Sequence, residues 1–194
     1  MSTLPDQPST TAASCPALQA LVQYLDSLDS RADLEILAGL LERLDVTRAD
    51  LKPACIFDHN AYRRNTIKRS DWYELVALCW HSGQRTPIHD HRGSSCGFRV
   101  IEGVATETRF ARTPSGLICP MRTDRLEAGY VCAAADADIH QVLNAEAEGT
   151  DLVTLHIYSP PMTRYHRYTL DSPSAESQVE IRELNSCDPG AQGI

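Results

Sequence analysis

Apolar residues change their spacing once along this chain, and the change divides it. Between Cys15 and Val46, Leu18, Leu21, Val22, Leu25 and Leu28 recur at helical steps, and Leu34, Ile36, Leu37, Leu40, Leu41 and Leu44 do so again after a polar break at Asp29-Ser30. This spacing predicts two amphipathic helices. Thr47-Arg48-Ala49-Asp50 has the form of a weak capping box that would start another short helical turn. After Pro53 the texture becomes short runs rich in Val, Ile, Tyr and Thr: 64–68, 73–80, 97–110, 117–125, 130–132, 139–143, 152–158 and 165–170. Punctuated by Gly, Pro, Asp and Asn, they predict an antiparallel β-barrel or sandwich with the helices covering one side.

The ends of the chain differ from its middle. Residues 1–14 are polar and rich in Ser, Thr and Pro, with neither a basic start nor an apolar stretch, and are expected to be a disordered leader rather than a secretory signal. Residues 15–170 are expected to form one domain, with helices within 15–52, and 171–194 a polar surface extension. At 194 residues the chain is long enough to bury a core without disulfides.

Composition narrows the function. The 26 acidic residues outnumber 18 basic ones, giving a net charge of −8 with no Lys/Arg cluster, which disfavours nucleic acid and anionic membranes as partners. A small molecule is the expected partner, and a soluble, cytoplasmic monomer the expected state. Cys15, Cys55, Cys79, Cys96, Cys119, Cys132 and Cys187 are scattered and form no CxxC pair, against both a disulfide framework and a cysteine-based zinc site.

The candidate chemistry lies in two blocks, Gly83-x5-His89-x-His91-x4-Cys96-x6-Gly103 and Gly129-x10-His140-x3-Asn144. Two residues apart on a strand, His89 and His91 point to one face and can share a metal, with His140 as the third ligand. Three imidazoles suit iron, zinc, copper or nickel, and three protein ligands leave positions open for catalysis. Thr154, His156 and Tyr158 also alternate on one strand face, which allows a hydroxyl–imidazole–phenol relay. His59 and His81 read as surface or packing residues, and His166 is left open.

The two blocks resemble the paired motifs of the cupin superfamily, with Cys96 where the general first motif has a glutamate ligand. More specifically, PIHDHRGSSCGFRVIEGVATETRF, Tyr62-Arg63-Arg64-Asn65 and LHIYSPP resemble the thiol dioxygenases, above all the cysteine dioxygenases, over about Asp58 to Tyr168. The resemblance implies a cupin-type jelly-roll barrel and Fe(2+) on His89, His91 and His140, adding both atoms of O2 to a bound thiol. It implies Tyr62 and Arg64 as the anchor of the substrate carboxylate, for which arginine offers planar, two-pronged donors. Relatives acting on 3-mercaptopropionate tend to carry glutamine there, so Arg64 favours L-cysteine.

The same resemblance implies Tyr158 and His156 beside the reacting atoms, with Thr154 keeping the hydroxyl of the family's serine. Cys96 falls at the position that forms a thioether to the tyrosine in animal relatives, here Tyr158, although Gly97 is adjacent and a one-residue shift would remove the match. Ser159-Pro160-Pro161 matches the family's tight turn, where proline makes a cis bond inexpensive. Tyr165 replaces a pocket cysteine, and Arg164 and Arg167 offer a rival carboxylate contact. The expected activity is oxidation of L-cysteine to cysteine sulfinic acid. The alternatives are a 3-mercaptopropionate or broader thiol dioxygenase, and a non-enzymatic iron- or thiol-binding sensor. A zinc or manganese isomerase is disfavoured by the missing acidic ligand.

Overall fold

The computed structural model describes residues 15–134, 139–171 and 177–180. The predicted leader, most of the C-terminal extension and residues 135–138 lie outside the described residues. Helix α1 (Gln19–Asp26) and helix α2 (Leu34–Glu42) form where the leucine spacing places them. The Asp33 carboxylate starts α2 by accepting from the backbone N–H groups of Glu35 and Ile36 at 2.9 and 3.0 Å. Thr47 and Asp50 cap each other: Thr47 N–H donates to the Asp50 carboxylate at 2.9 Å and Asp50 N–H to the Thr47 hydroxyl at 3.4 Å. A short 3-10 turn, Lys52–Ala54, follows.

Among the described residues, eleven strands make two antiparallel sheets. The first has the order β1 (Arg63–Arg69), β2 (Glu74–Trp80), β9 (Leu152–Ser159), β4 (Ser95–Glu102), β7 (Val131–Ala134). The second has the order β11 (Ser177–Glu180), β10 (Arg164–Tyr168), β3 (Ile88–His89), β8 (Ile139–Leu143), β5 (Val104–Arg112), β6 (Ile118–Glu127). The fold is mainly β with helices on one side, as the sequence predicts, but the barrel is not closed. Among the described residues no strand is shared between the sheets, and the end strands of each have no partner in the other.

The run at 97–110 proves to be two strands, because Gly103 (φ +84°) turns the chain between β4 and β5. β3 and β11 were not legible in the sequence. β3 is two residues long, and β11 is a polar segment ordered by pairing with β10 rather than by its own pattern.

β2 and β9 are buried throughout, on both faces. Their odd positions, Leu75, Ala77, Leu155 and Ile157, join Leu21, Leu25, Leu37 and Leu41 of the helices in one core cluster. Their even positions, Val76, Leu78, Trp80, Leu152 and Tyr158, face the opposite sheet in a second cluster. This two-sided burial explains why Leu75-Val76-Ala77-Leu78 carries no polar alternation. Gly97 lies on the helix side of β4, where an added Cβ would stand 2.7 Å from Leu37 Cδ2. Its neighbour Cys96 therefore faces the interior between the sheets.

Gly103 and Gly129 both hold positive φ, but only at Gly103 would a Cβ meet backbone, 2.4 Å from the Asp151 carbonyl oxygen. Gly129→Ala should cost about 1–2 kcal/mol for the left-handed conformation alone. Gly103→Ala should cost clearly more, because the clash adds to the same strain. Urea unfolding of the two variants side by side measures the difference.

Candidate metal and substrate site

His89 and His140 are direct cross-strand partners where β3 pairs with β8. His91 lies beyond the end of β3, opening a turn in which Ser94 N–H donates to its carbonyl at 3.2 Å. The expectation that His89 and His91 share one strand face is therefore corrected, since the strand stops at His89 and the following turn returns His91 to the same point. Ligand nitrogens of all three lie within 4.8 Å of one another, and all three residues are buried.

The neighbours of the imidazoles determine which nitrogens face inward. His89 Nδ1 lies 3.0 Å from the Pro87 carbonyl oxygen, and His140 Nδ1 lies 2.7 Å from the Glu107 carboxylate. Both partners only accept, so each ring carries its proton on Nδ1 and offers a bare Nε2. His140 Nε2 and His91 Nε2 are 3.2 Å apart. Two nitrogens bound at about 2.0–2.1 Å to one ion stand roughly this far apart, so the donor set fits a divalent transition metal.

Burial, then the neighbouring His140, holds the His89 imidazole down to about 3, and burial with His140 and His89 holds His91 well below its ordinary value. Both are therefore neutral ligands. Burial pushes the Glu107 carboxyl upward, but its hydrogen bond to His140 and the nearby Arg109 outweigh that and hold it below its ordinary value. Glu107 thus stays ionised behind His140, as carboxylates that orient metal-bound imidazoles do. The sequence reading missed it. The available signal was a charged residue two positions after inward-facing Ala105 on β5, where period two turns it inward.

A small cavity adjoins the three histidines and is also lined by Tyr62, Arg64, Trp80, His156 and Tyr158. Arg64 enters from β1, with 8% of its side chain exposed, and donates from Nη2 to Glu74 Oε2 at 3.1 Å. Its Nη1 is buried and has no hydrogen-bond partner among the described residues. Burial works against the Arg64 charge, but Glu74 and the Tyr158 and Tyr62 phenols outweigh it and hold the guanidinium above its ordinary value. Tyr62 stacks on Trp80 with ring centroids 4.2 Å apart. The Arg64 fork is therefore shared, because Glu74 accepts from one of its terminal nitrogens.

Thr154, His156 and Tyr158 share the cavity side of β9, as their alternation predicts. Trp80 Nε1–H donates to the Thr154 hydroxyl at 3.1 Å, the hydroxyl lies 2.9 Å from His156 Nε2, and His156 Nδ1 lies 3.4 Å from the Tyr158 hydroxyl. Burial, then Arg64, holds His156 well below its ordinary value, so it is neutral. Burial raises the Tyr158 phenol, more than Arg64 lowers it, and Tyr158 keeps its proton. Cys96 is directly opposite Tyr158 where β4 pairs with β9. The register thus gives Cys96, not Gly97, the position facing the tyrosine.

The family model described as cysteine dioxygenase type I matches residues 1–171. The chain belongs to that family. Cysteine dioxygenase type 1 of Bos taurus is 27% identical over 159 residues, covering 78% of each chain. The protein of that name from Danio rerio is 29% identical over 152 residues, covering 74% of this chain and 75% of its own. Among solved structures, an uncharacterized conserved protein with a double-stranded β-helix domain from Klebsiella pneumoniae is 16% identical with a TM-score of 0.47, covering 61% of this chain and 93% of its own.

The remaining candidates separate cleanly. Tyr165 is buried edge-on against His89, with ring centroids 5.8 Å apart. Arg164 and Arg167 are exposed on β10 and do not line the cavity, which removes them as rival anchors. His59 and His81 stack on each other away from the site, as surface and packing residues. His166 Nδ1 pairs with Asp90 at 2.7 Å. The Ser159-Pro160 bond is cis. The six described cysteines are free thiols, and no helix among the described residues is long and apolar enough to cross a membrane.

His140→Ala should abolish stoichiometric binding of a divalent transition metal, and Glu107→Gln should lower the affinity about 10- to 100-fold by loosening His140. Competition with a chelator of known affinity measures both.

Proposed function

We propose that this protein oxidises L-cysteine with O2 to cysteine sulfinic acid at one ferrous ion held by His89, His91 and His140. The observation that supports this most directly is the buried Arg64 Nη1, a cationic donor with no hydrogen-bond partner among the described residues, facing the same cavity as the three histidines. A ligand that satisfies both carries an anionic group for the arginine and a soft donor for the metal, which describes a thiol acid. Membership in the cysteine dioxygenase type I family points to the same substrate.

When bound, ferrous iron supplies open coordination positions and the redox chemistry that O2 requires. The chain's residues do the rest. Arg64 Nη1, with Tyr62 beside it, holds the substrate carboxylate and so fixes the direction in which the thiol points. Tyr158 keeps its proton and is the hydrogen-bond donor nearest the reacting sulfur and oxygen, positioned by neutral His156. Trp80 donates to Thr154, which leaves the Thr154 proton free to go to His156 Nε2 and so set the imidazole tautomer. Both atoms of O2 end on sulfur, so thiol plus O2 gives sulfinic acid with no external electron donor.

Cys96 is placed to form a thioether with the Tyr158 ring. Joining them breaks the Cys96 S–H and one ring C–H of Tyr158, O2 takes up the two hydrogens and is reduced to hydrogen peroxide, and a mass deficit of two hydrogens in the linked peptide is the expected signature.

Oxygen uptake by anaerobically iron-loaded protein should show one O2 consumed per cysteine sulfinate formed. Arg64→Ala should raise the KM for L-cysteine about 10- to 100-fold, the loss of a charge-assisted hydrogen bond, with bound iron unchanged. Turnover of 3-mercaptopropionate but not of cysteine would move the assignment to that substrate, and iron binding without turnover of any thiol would leave a sensor.

A further inference from the structure

Glu74 holds the substrate anchor from behind. Its Oε2 accepts from Arg64 Nη2 at 3.1 Å, its Oε1 accepts from the Thr66 hydroxyl at 3.2 Å, and Arg69 Nη1 lies 3.8 Å from the same oxygen. The side chains of Arg64 and Glu74 are 8% and 5% exposed, so the pair is screened very little by water. Both carboxylate oxygens thus have partners supplied by the chain, and Glu74 does not line the cavity.

Two consequences follow for any carboxylate entering the cavity. Glu74 already takes one N–H of Arg64 Nη2 and fixes the plane of the guanidinium, and the charge of Arg64 is already balanced by an anion at hydrogen-bond distance. An arginine paired in this way attracts a second carboxylate less than an unpaired one, and the two carboxylates repel each other across it. The effect applies to substrate and product alike, since the sulfinic acid retains the carboxylate and adds a second anionic group.

Resting on the functional reading above, we propose that Glu74 is a positioning residue that determines specificity. By holding one edge of Arg64 and balancing its charge, it limits how tightly the site grips carboxylate-bearing ligands, which lets product leave as substrate arrives.

The test is calorimetric binding to anaerobic, iron-loaded protein, where no turnover occurs, using 3-mercaptopropionate and cysteamine. The two thiols have equal chain length, and only the first has a carboxylate. Glu74→Gln should tighten 3-mercaptopropionate about tenfold, equivalent to about 1.4 kcal/mol, and leave cysteamine within about twofold. A merely structural role would move both ligands together. Unchanged or weaker binding of 3-mercaptopropionate by Glu74→Gln would overturn the proposal.

Glu74→Gln leaves a buried arginine without its counter-ion, a change that can prevent folding, so a second comparison is built in. Arg64→Ala leaves Glu74 facing the ligand and should lose 3-mercaptopropionate binding, whereas adding Glu74→Gln to it should recover part of that affinity. No recovery would also overturn the proposal. If iron-loaded wild-type protein binds neither these thiols nor L-cysteine in the same calorimeter, the functional reading fails and this inference fails with it; if it binds L-cysteine alone, only this inference fails. If it binds 3-mercaptopropionate and cysteamine and their ratio ignores residue 74, only this inference fails.

Discussion

Three imidazoles can share one ion only while none of them is protonated, and much of this fold serves that condition. Burial removes water from His89 and His91, which disfavours the charged ring. The Pro87 carbonyl and the Glu107 carboxylate then fix protons on the outer nitrogens of His89 and His140, leaving the inner ones as ligands. Neither effect suffices alone. Burial without fixed tautomers would let rings turn, and fixed tautomers in water would let them titrate.

The packing that achieves this comes from strands buried on both faces. On β2 and β9, odd positions hold the helices and even positions build the cavity, so each strand connects the helix layer to the site. Gly97 admits Leu37 and Leu41 close to β4, and the same step along that strand turns Cys96 toward Tyr158. Arg64 reaches the cavity from the adjacent β1, buried together with its counter-ion. A buried cation with one nitrogen unpaired among the described residues is costly, and the proposed substrate carboxylate would complete it.

The local chemistry of the site was largely legible in the sequence. Thr154, His156 and Tyr158 needed only the period of a strand, and the two helices only the spacing of leucines. Contacts that depend on strand pairing were not legible. Glu107 is 33 residues from His140 and Glu74 is 10 from Arg64, and no local pattern announces either pair. The two-residue β3 has too little sequence to carry a period, and β11 is polar and held only by its neighbour. The open sandwich follows from which strands pair at the edges, a global property that short runs of valine and isoleucine do not encode. The place of His91 after the strand's end shows the limit of the alternation argument, because a turn delivered the ligand where a strand was expected.

The claim on which the account turns is that both oxygens of one O2 molecule reach a single sulfur in this cavity. The direct measurement is mass spectrometry of the product formed from L-cysteine by the iron-loaded protein under oxygen-18 gas in ordinary water. The account predicts cysteine sulfinate with both sulfinate oxygens labelled. A product carrying one label or none, or one in which cysteine is oxidised only to the disulfide, would contradict it.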